Sequence, residues 1–183
     1  MSDSSRRFDN LYSHDFVRVA IGIPRVAVAD PRANAEHTIE LLDAASRRHA
    51  CLVLFPELGL SAYSCEDLFQ QRALQDGALA ALERVVEASR DLAVVGVVGV
   101  PLVIGELLYN CAAVFAGGRL LGVVPKTFLP SYREFYELRQ FTPADRALVD
   151  EVDLCGQSRV PFGVELLFRL AEQPWCCFHV EMC

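Results

Sequence analysis

Basic residues form no run beyond the pairs Arg6-Arg7 and Arg47-Arg48, and no stretch reaches the roughly 20 apolar residues that a membrane-spanning helix needs. With 24 acidic against 17 basic residues the formal charge is −7, so the electrostatic footprint of a nucleic-acid or anionic-membrane binder is missing. The opening residues, MSDSSRRFDN, lack the apolar core of a secretory signal, and no CxxC pair is present to frame a zinc site. These absences lead to the expectation of a cytoplasmic protein whose partner is a small molecule. The seven cysteines are odd in number, and Cys51, Cys111, Cys176 and Cys177 sit inside apolar runs. That pattern suits small core residues in a reducing compartment better than a disulfide framework.

What is present suffices for one domain: 183 residues, of which 52% are hydrophobic, allow a substantial core. Residues 1–15 are polar and aperiodic and read as a mobile arm or a surface-hugging extension. Residues 16–183 read as one structural unit without repeat or linker. The alternation of Val17, Val19, Ile21 and Ile23 predicts a strand. Asp30-Pro31 then supplies an N-cap and a first-turn proline for a helix on which Ala35, Ile39, Leu42 and Ala45 share a face.

The apolar run CLVLF (51–55) stops at Pro56, as a strand buried on both faces would, completing a parallel crossover unit. Residues 66–90 read as helical. Residues 92–104 form a valine-rich strand region in which Gly96 and Gly99 signal a bulge or a close backbone approach. NCAAVF (110–115), Gly117-Gly118 and LLGVV (120–124) predict a hairpin, which makes the sheet mixed. The stretch FLPSYREFYELRQFTPAD (128–145) is irregular and too polar for core, a kind of loop in which function tends to sit. Strand-rich sections over 160–168 and 175–181 follow.

Three residues invite a chemical reading. Glu57 directly follows a buried strand, where side chains of open parallel sheets face a crevice, and is either a general base or a solvated loop glutamate. Lys126 follows the hairpin and is either a stabiliser of a developing oxyanion or a surface lysine. Cys183, after the segment 175–181, is a nucleophile if a base and an ammonium lie beside it, and otherwise incidental. Cys177, His179, Glu181 and Cys183 would share one face of a strand and are of metal-ligand type. Neighbours on such a face are roughly 6–7 Å apart, too far for all four to meet one zinc ion.

Taken together, FPELGLSAYSCEDLF (55–69), PKTFLPSYREFYELRQF (125–141) and CFHVEMC (177–183), preceded by VRVAIGIPRVAVADPRANAEHTIELL (17–42), resemble the nitrilase superfamily of carbon–nitrogen hydrolases. The resemblance implies an α/β fold, the α-β-β-α layered sandwich of that superfamily seen as its first half, with a mixed sheet. The continuations SCEDLF and YREFYE are similar to the glutaminase domain of bacterial glutamine-dependent NAD synthetases. On that resemblance Glu57 is the general base, Lys126 stabilises the tetrahedral intermediate, Cys183 is the nucleophile, Glu137 orients the lysine and Tyr132 helps to bind glutamine. On the same resemblance no metal is implied for this chain, ATP and magnesium would belong to a separate synthetase domain, and a homo-oligomer is expected at full length.

The family pattern continues beyond its cysteine, so the expectation is a chain cut at the nucleophile. It would then lack the N–H that follows Cys183 in the oxyanion hole and would not turn over glutamine alone. Two rival readings are a stand-alone amidase of the same superfamily acting on another small amide, and an inactive fragment that pairs its exposed sheet with a partner or an intact copy.

Overall fold

The computed structural model describes residues 10–170 and 175–182. Its first regular strand is shorter than the alternation suggests: β1 spans Val19–Ile21. It lies at the sheet edge, paired among the described residues only with β2 (Leu52–Leu54). Helix α1 (Pro31–Arg47) runs between them, and Asp30 accepts from Ala33 N–H at 3.1 Å as its cap. Ala35, Leu42 and Ala45 of the expected apolar face are buried.

The single helix expected over 66–90 is instead two elements. A kinked 3-10 segment, Tyr63–Gln70, contains Glu66 at φ 52°, and Gln71 is extended before α2 (Arg72–Ala88) begins. A left-handed residue and an extended residue both break the hydrogen-bond ladder of a continuous helix.

Strands β3 (Val95–Ile104), β4 (Leu107–Ala116) and β5 (Arg119–Pro125) complete a five-stranded sheet in sequential order. The pairs β1–β2 and β2–β3 are parallel, whereas β3–β4 and β4–β5 are antiparallel, so the sheet is mixed. The Gly117-Gly118 turn has both φ angles positive, 58° and 75°, as a two-residue turn matched to strand twist requires. A second tight turn at Gly105-Glu106 joins β3 to β4 and was not anticipated. A short helix α3 (Glu137–Gln140) and two small hairpins, β6 (Glu151–Leu154) with β7 (Gln157–Pro161) and β8 (Phe168–Arg169) with β9 (Cys177–Phe178), follow.

One face of the sheet packs against α1 and α2. Val53, Phe55, Val98, Val100, Cys111 and Phe115 point into this core, and Gly96 leaves the room that the Phe115 ring occupies. The opposite face, called the front here, carries Val97, Ala112, Val114 and Val124, covered in part by Leu166, Phe168, Phe178, Val180 and Met182. Towards β1 the front is open: Val19, Ile21 and Leu54 are exposed, so CLVLF is not buried on both sides.

The strand expected over 175–181 is regular only at Cys177–Phe178, yet its alternation persists, with Cys177, His179 and Glu181 outward. Cys65 and Cys111 are core residues, whereas Cys51, Cys155 and Cys176 are half-buried and Cys177 is exposed. Of the polar arm expected over 1–15, residues 1–9 lie outside the described residues. Leu11–His14 forms a 3-10 turn, and the Tyr12 hydroxyl donates to His49 O beyond the end of α1. No helix among the described residues is long and apolar enough to cross a membrane.

Candidate active site

Glu57 leaves β2 through a turn that crosses the front of β3. Phe55 N–H donates to Val97 O and Leu60 N–H to Gly99 O, so the turn is stitched to β3 on either side of Glu57. It can lie this close because Gly99 has no side chain: a Cβ there would come within 2.3 Å of Leu58 N and 2.5 Å of Pro56 O. The anticipated close approach is therefore what seats the glutamate. Leu58 and Ala62 take left-handed φ angles of 51° and 80°, a strained backbone of the kind that functional turns retain.

Lys126 reaches the same place from β5, and it does so through a bulge. Phe115 pairs with Leu120, but Val114 pairs with Gly122, so Leu121 is an extra residue in the ladder. Side chains alternate faces with period two, and one inserted residue reverses the sense of everything after it. Lys126 is thereby turned to the front, beside Asn110, whose backbone carbonyl accepts from Lys126 N–H at 2.8 Å.

The ammonium is 2% exposed and is shared by two carboxylates, 2.8 Å from Glu57 Oε1 and 3.0 Å from Glu137 Oε1. Burial pulls the Lys126 pKa down, but the hydrogen bonds and charges of Glu57 and Glu137 outweigh it and the net shift is upward. Lys126 is the only lysine in the sequence. A compact ammonium with three rotatable donors can serve two carboxylates and still hold a third N–H in reserve.

Glu137 is buried at the start of α3, and its Oε1 also accepts from the Tyr63 hydroxyl at 2.6 Å. Burial first, then the hydrogen bond to Glu137 and the charges of Glu137 and Glu57, push the Tyr63 pKa well up, so this hydroxyl remains a donor. The segment 128–145 is thus not wholly outside the core. Glu137, Gln140 and Phe141 are buried, while Phe128, Tyr132, Tyr136 and Leu138 face outward.

The structure brings together Glu57, Lys126 and Glu137. Tyr132 is 63% exposed, and its ring packs on Phe135, which packs in turn on Tyr63. Cys183 lies outside the described residues. Two further members of the cluster escaped the sequence reading. Asn110 had a visible signal, a lone amide heading the apolar strand segment NCAAVF; Tyr63 had only its nearness to Glu57 in the chain.

Chemically, the cluster is a buried cation with spare capacity beside a partly exposed carboxylate. Among the described residues both donors to Glu57 use Oε1, which leaves Oε2 open, and the Glu57 side chain retains 28% exposure. The ammonium has a third N–H beyond the two given to the carboxylates. Two surface cavities, of about 190 and 290 Å³, are lined by other residues.

The sequence pattern of the carbon-nitrogen hydrolases matches residues 18–171. This chain belongs to the carbon–nitrogen hydrolase family. Among its relatives, the glutamine-dependent NAD(+) synthetase of Mycobacterium tuberculosis (strain ATCC 25618 / H37Rv) is 43% identical over 178 residues, covering 96% of this chain and 26% of the relative. That of Aquifex aeolicus is 33% identical over 154 residues, 84% of this chain and 25% of the relative. The hydrolase chain thus spans about a quarter of the length of these curated relatives.

Among solved structures, a glutamine-dependent NAD(+) synthetase from Cytophaga hutchinsonii matches with a TM-score of 0.77 at 22% identity, over 85% of this chain and 26% of that one. An amidase from Nesterenkonia sp. matches with a TM-score of 0.63 at 23% identity, over 77% and 52%. At these identities the two structures establish that the hydrolase fold is shared.

Proposed function

We propose that this chain is the glutaminase part of a glutamine-dependent NAD(+) synthetase, releasing ammonia from the side-chain amide of glutamine for ATP-dependent amidation of deamido-NAD. The observation that supports it most is the buried Lys126 ammonium between Glu57 and Glu137, beside a carboxylate oxygen left open.

Glu57 Oε2 takes the proton of the Cys183 thiol, and the thiolate attacks the amide carbon of glutamine. The carbonyl oxygen becomes an oxyanion, which the Lys126 ammonium stabilises electrostatically. Collapse breaks the C–N bond, the proton passes from Glu57 to the leaving nitrogen, and ammonia departs. Water, deprotonated by Glu57, then cleaves the thioester to give glutamate and the free thiol. Glu137 keeps the ammonium oriented, and Tyr132, exposed on the loop beside the cluster, is assigned to glutamine binding. ATP and magnesium would serve the separate synthetase domain, and none of these steps uses them.

The test is NAD formation by this chain joined to a synthetase region, with glutamine or free ammonia as nitrogen source. Cys183→Ala, Lys126→Ala and Glu57→Ala each abolish glutamine-driven synthesis and leave ammonia-driven synthesis largely intact. Glutamine use that survives all three changes, or ammonia use that fails equally, sinks the proposal. Iodoacetamide at neutral pH provides a second reading. Cys183 is labelled well ahead of Cys111 and Cys155, whose thiols burial pushes up, that of Cys155 to about 12 with a contribution from Glu83. The alternative, an amidase acting on another small amide, draws on the fold shared with the Nesterenkonia enzyme and predicts ammonia release from that amide in preference to glutamine.

A further inference from the structure

Asn110 is fully buried on the front of β4, in a file that continues with the apolar side chains of Ala112 and Val114. A buried amide normally satisfies both of its ends. Here Nδ2 donates to Glu57 Oε1, while among the described residues Oδ1 has no partner. The orientation follows from charge: an ionised carboxylate only accepts, so the NH2 end must face it and the carbonyl end is left over. Folding alone does not call for that arrangement, since an apolar residue of the same size would leave no orphan.

We infer that Asn110 is a positioning residue that fixes Glu57 through one carboxylate oxygen and so aims the other at the reaction space; this rests on the reading of Glu57 as the base. The fixing is rigid because its two donors are tied together. Asn110 stands on β4 and Lys126 just past β5, and Lys126 N–H donates to Asn110 O at 2.8 Å, so strand register sets the spacing of the two side chains. Both converge on Oε1, and a carboxylate held at one oxygen by two donors on a sheet is held in orientation as well as place.

The amide has a second effect. The groups facing Glu57 are the Lys126 ammonium beyond β5, the Glu137 carboxylate on α3 and, in the 3-10 segment, the Tyr63 hydroxyl, whose titration feels the charge of Glu57 and of Glu134. Among the described residues Glu57 therefore shares the Lys126 ammonium with a second carboxylate. A neutral donor holds Oε1 without adding a charge that competes for Lys126.

The test uses the 183-residue chain labelled with side-chain carboxyl 13C-glutamate and 15N-asparagine, with Glu57 assigned by Glu57→Gln. In the unsubstituted protein the Asn110 side-chain NH2 resonances move with the Glu57 titration. In both Asn110→Leu and Asn110→Ser the Glu57 midpoint rises, a three- to tenfold gain in proton affinity, roughly what losing one hydrogen bond to the charged form produces. In the chain joined to a synthetase region, as in the nitrogen-source assay, the same variants lower kcat for ammonia release from glutamine by about tenfold or more and leave KM within about twofold, with the acid limb of the pH profile moved to higher pH.

An Asn110 amide that ignores the Glu57 titration, or a midpoint unmoved in both variants, overturns the inference. The first measurement uses Glu57→Gln for assignment only and no change at Asn110, so it survives any failure of an Asn110 variant to fold. The titrations do not depend on which amide is the substrate, and the nitrogen-source assay does not depend on Asn110, so failure of one reading is distinguishable from failure of the other.

Discussion

The two faces of the central sheet carry similar apolar side chains and meet different surroundings. Towards α1 and α2, Val98, Val100, Ala113 and Phe115 are completely buried. On the front, Val19 and Ile21 are 61% and 76% exposed, and the remaining apolar residues share their surface with Asn110, Lys126 and the Glu57 turn. The difference shows how the fold divides its work. One face is closed by α1 and α2 and holds the sheet rigid, and the other, only partly covered among the described residues, has room for charged groups that a close-packed core would not tolerate.

The strongest way to break that comparison is to remove the one buried cation from the front. Lys126→Met leaves Glu57 and Glu137 facing each other without a counter-charge, and urea unfolding should report a loss of about 3–5 kcal/mol, the usual result of orphaning a buried charge. The pH dependence gives the sign. Because the folded Lys126 pKa is raised, its contribution is complete below the ordinary lysine range and disappears as pH climbs through the folded value. The unfolding midpoint of the unsubstituted protein should therefore fall at alkaline pH more steeply than that of Lys126→Met.

A matched pair of truncations tests the faces directly. Phe115→Ala on the helix side should cost about 3–5 kcal/mol, because the cavity it leaves is enclosed. Ile21→Ala on the open front should stay within about 0.5 kcal/mol, as exposed substitutions usually do. Equal losses would mean that the front is covered in solution. The smallest of the substantial effects belongs to Gly99→Ala. A Cβ at 2.3 Å from Leu58 N must push the Glu57 turn off β3, with an expected loss of about 1–3 kcal/mol. Of the changes that leave the charges untouched, this one should most disturb the Glu57 to Lys126 hydrogen bond, which the chemical shift of the lysine ammonium would report.

Much of this was legible in order and type of element. The Asp30-Pro31 cap, the apolar stripe of α1, the short strand before Pro56 and the two-glycine hairpin all rest on local chemistry, since a cap, a helical face and a tight turn need only neighbouring residues. Glu57 and Lys126 stood out for the same reason, each coming directly after a strand. Less legible were the break at Gln71 and the burial of Glu137 within a polar loop, because both depend on contacts between the Tyr63–Gln70 segment and residues about seventy positions away, among them Tyr63 with Glu137 and Gln70 with Gln140.

By itself, then, the sequence determined an alternating strand and helix order, a mixed sheet, and an acid and a base at strand ends. Only the tertiary structure decided that they meet. Leu121, as the extra residue of a bulge, turns Lys126 to the front, and Gly99 lets the Glu57 turn lie against β3. The register of β4 against β5 then sets Asn110 beside both. Local pattern predicts which residues alternate, but a single unpaired residue reverses the face on which every later side chain stands, and that is settled only when the strands pair.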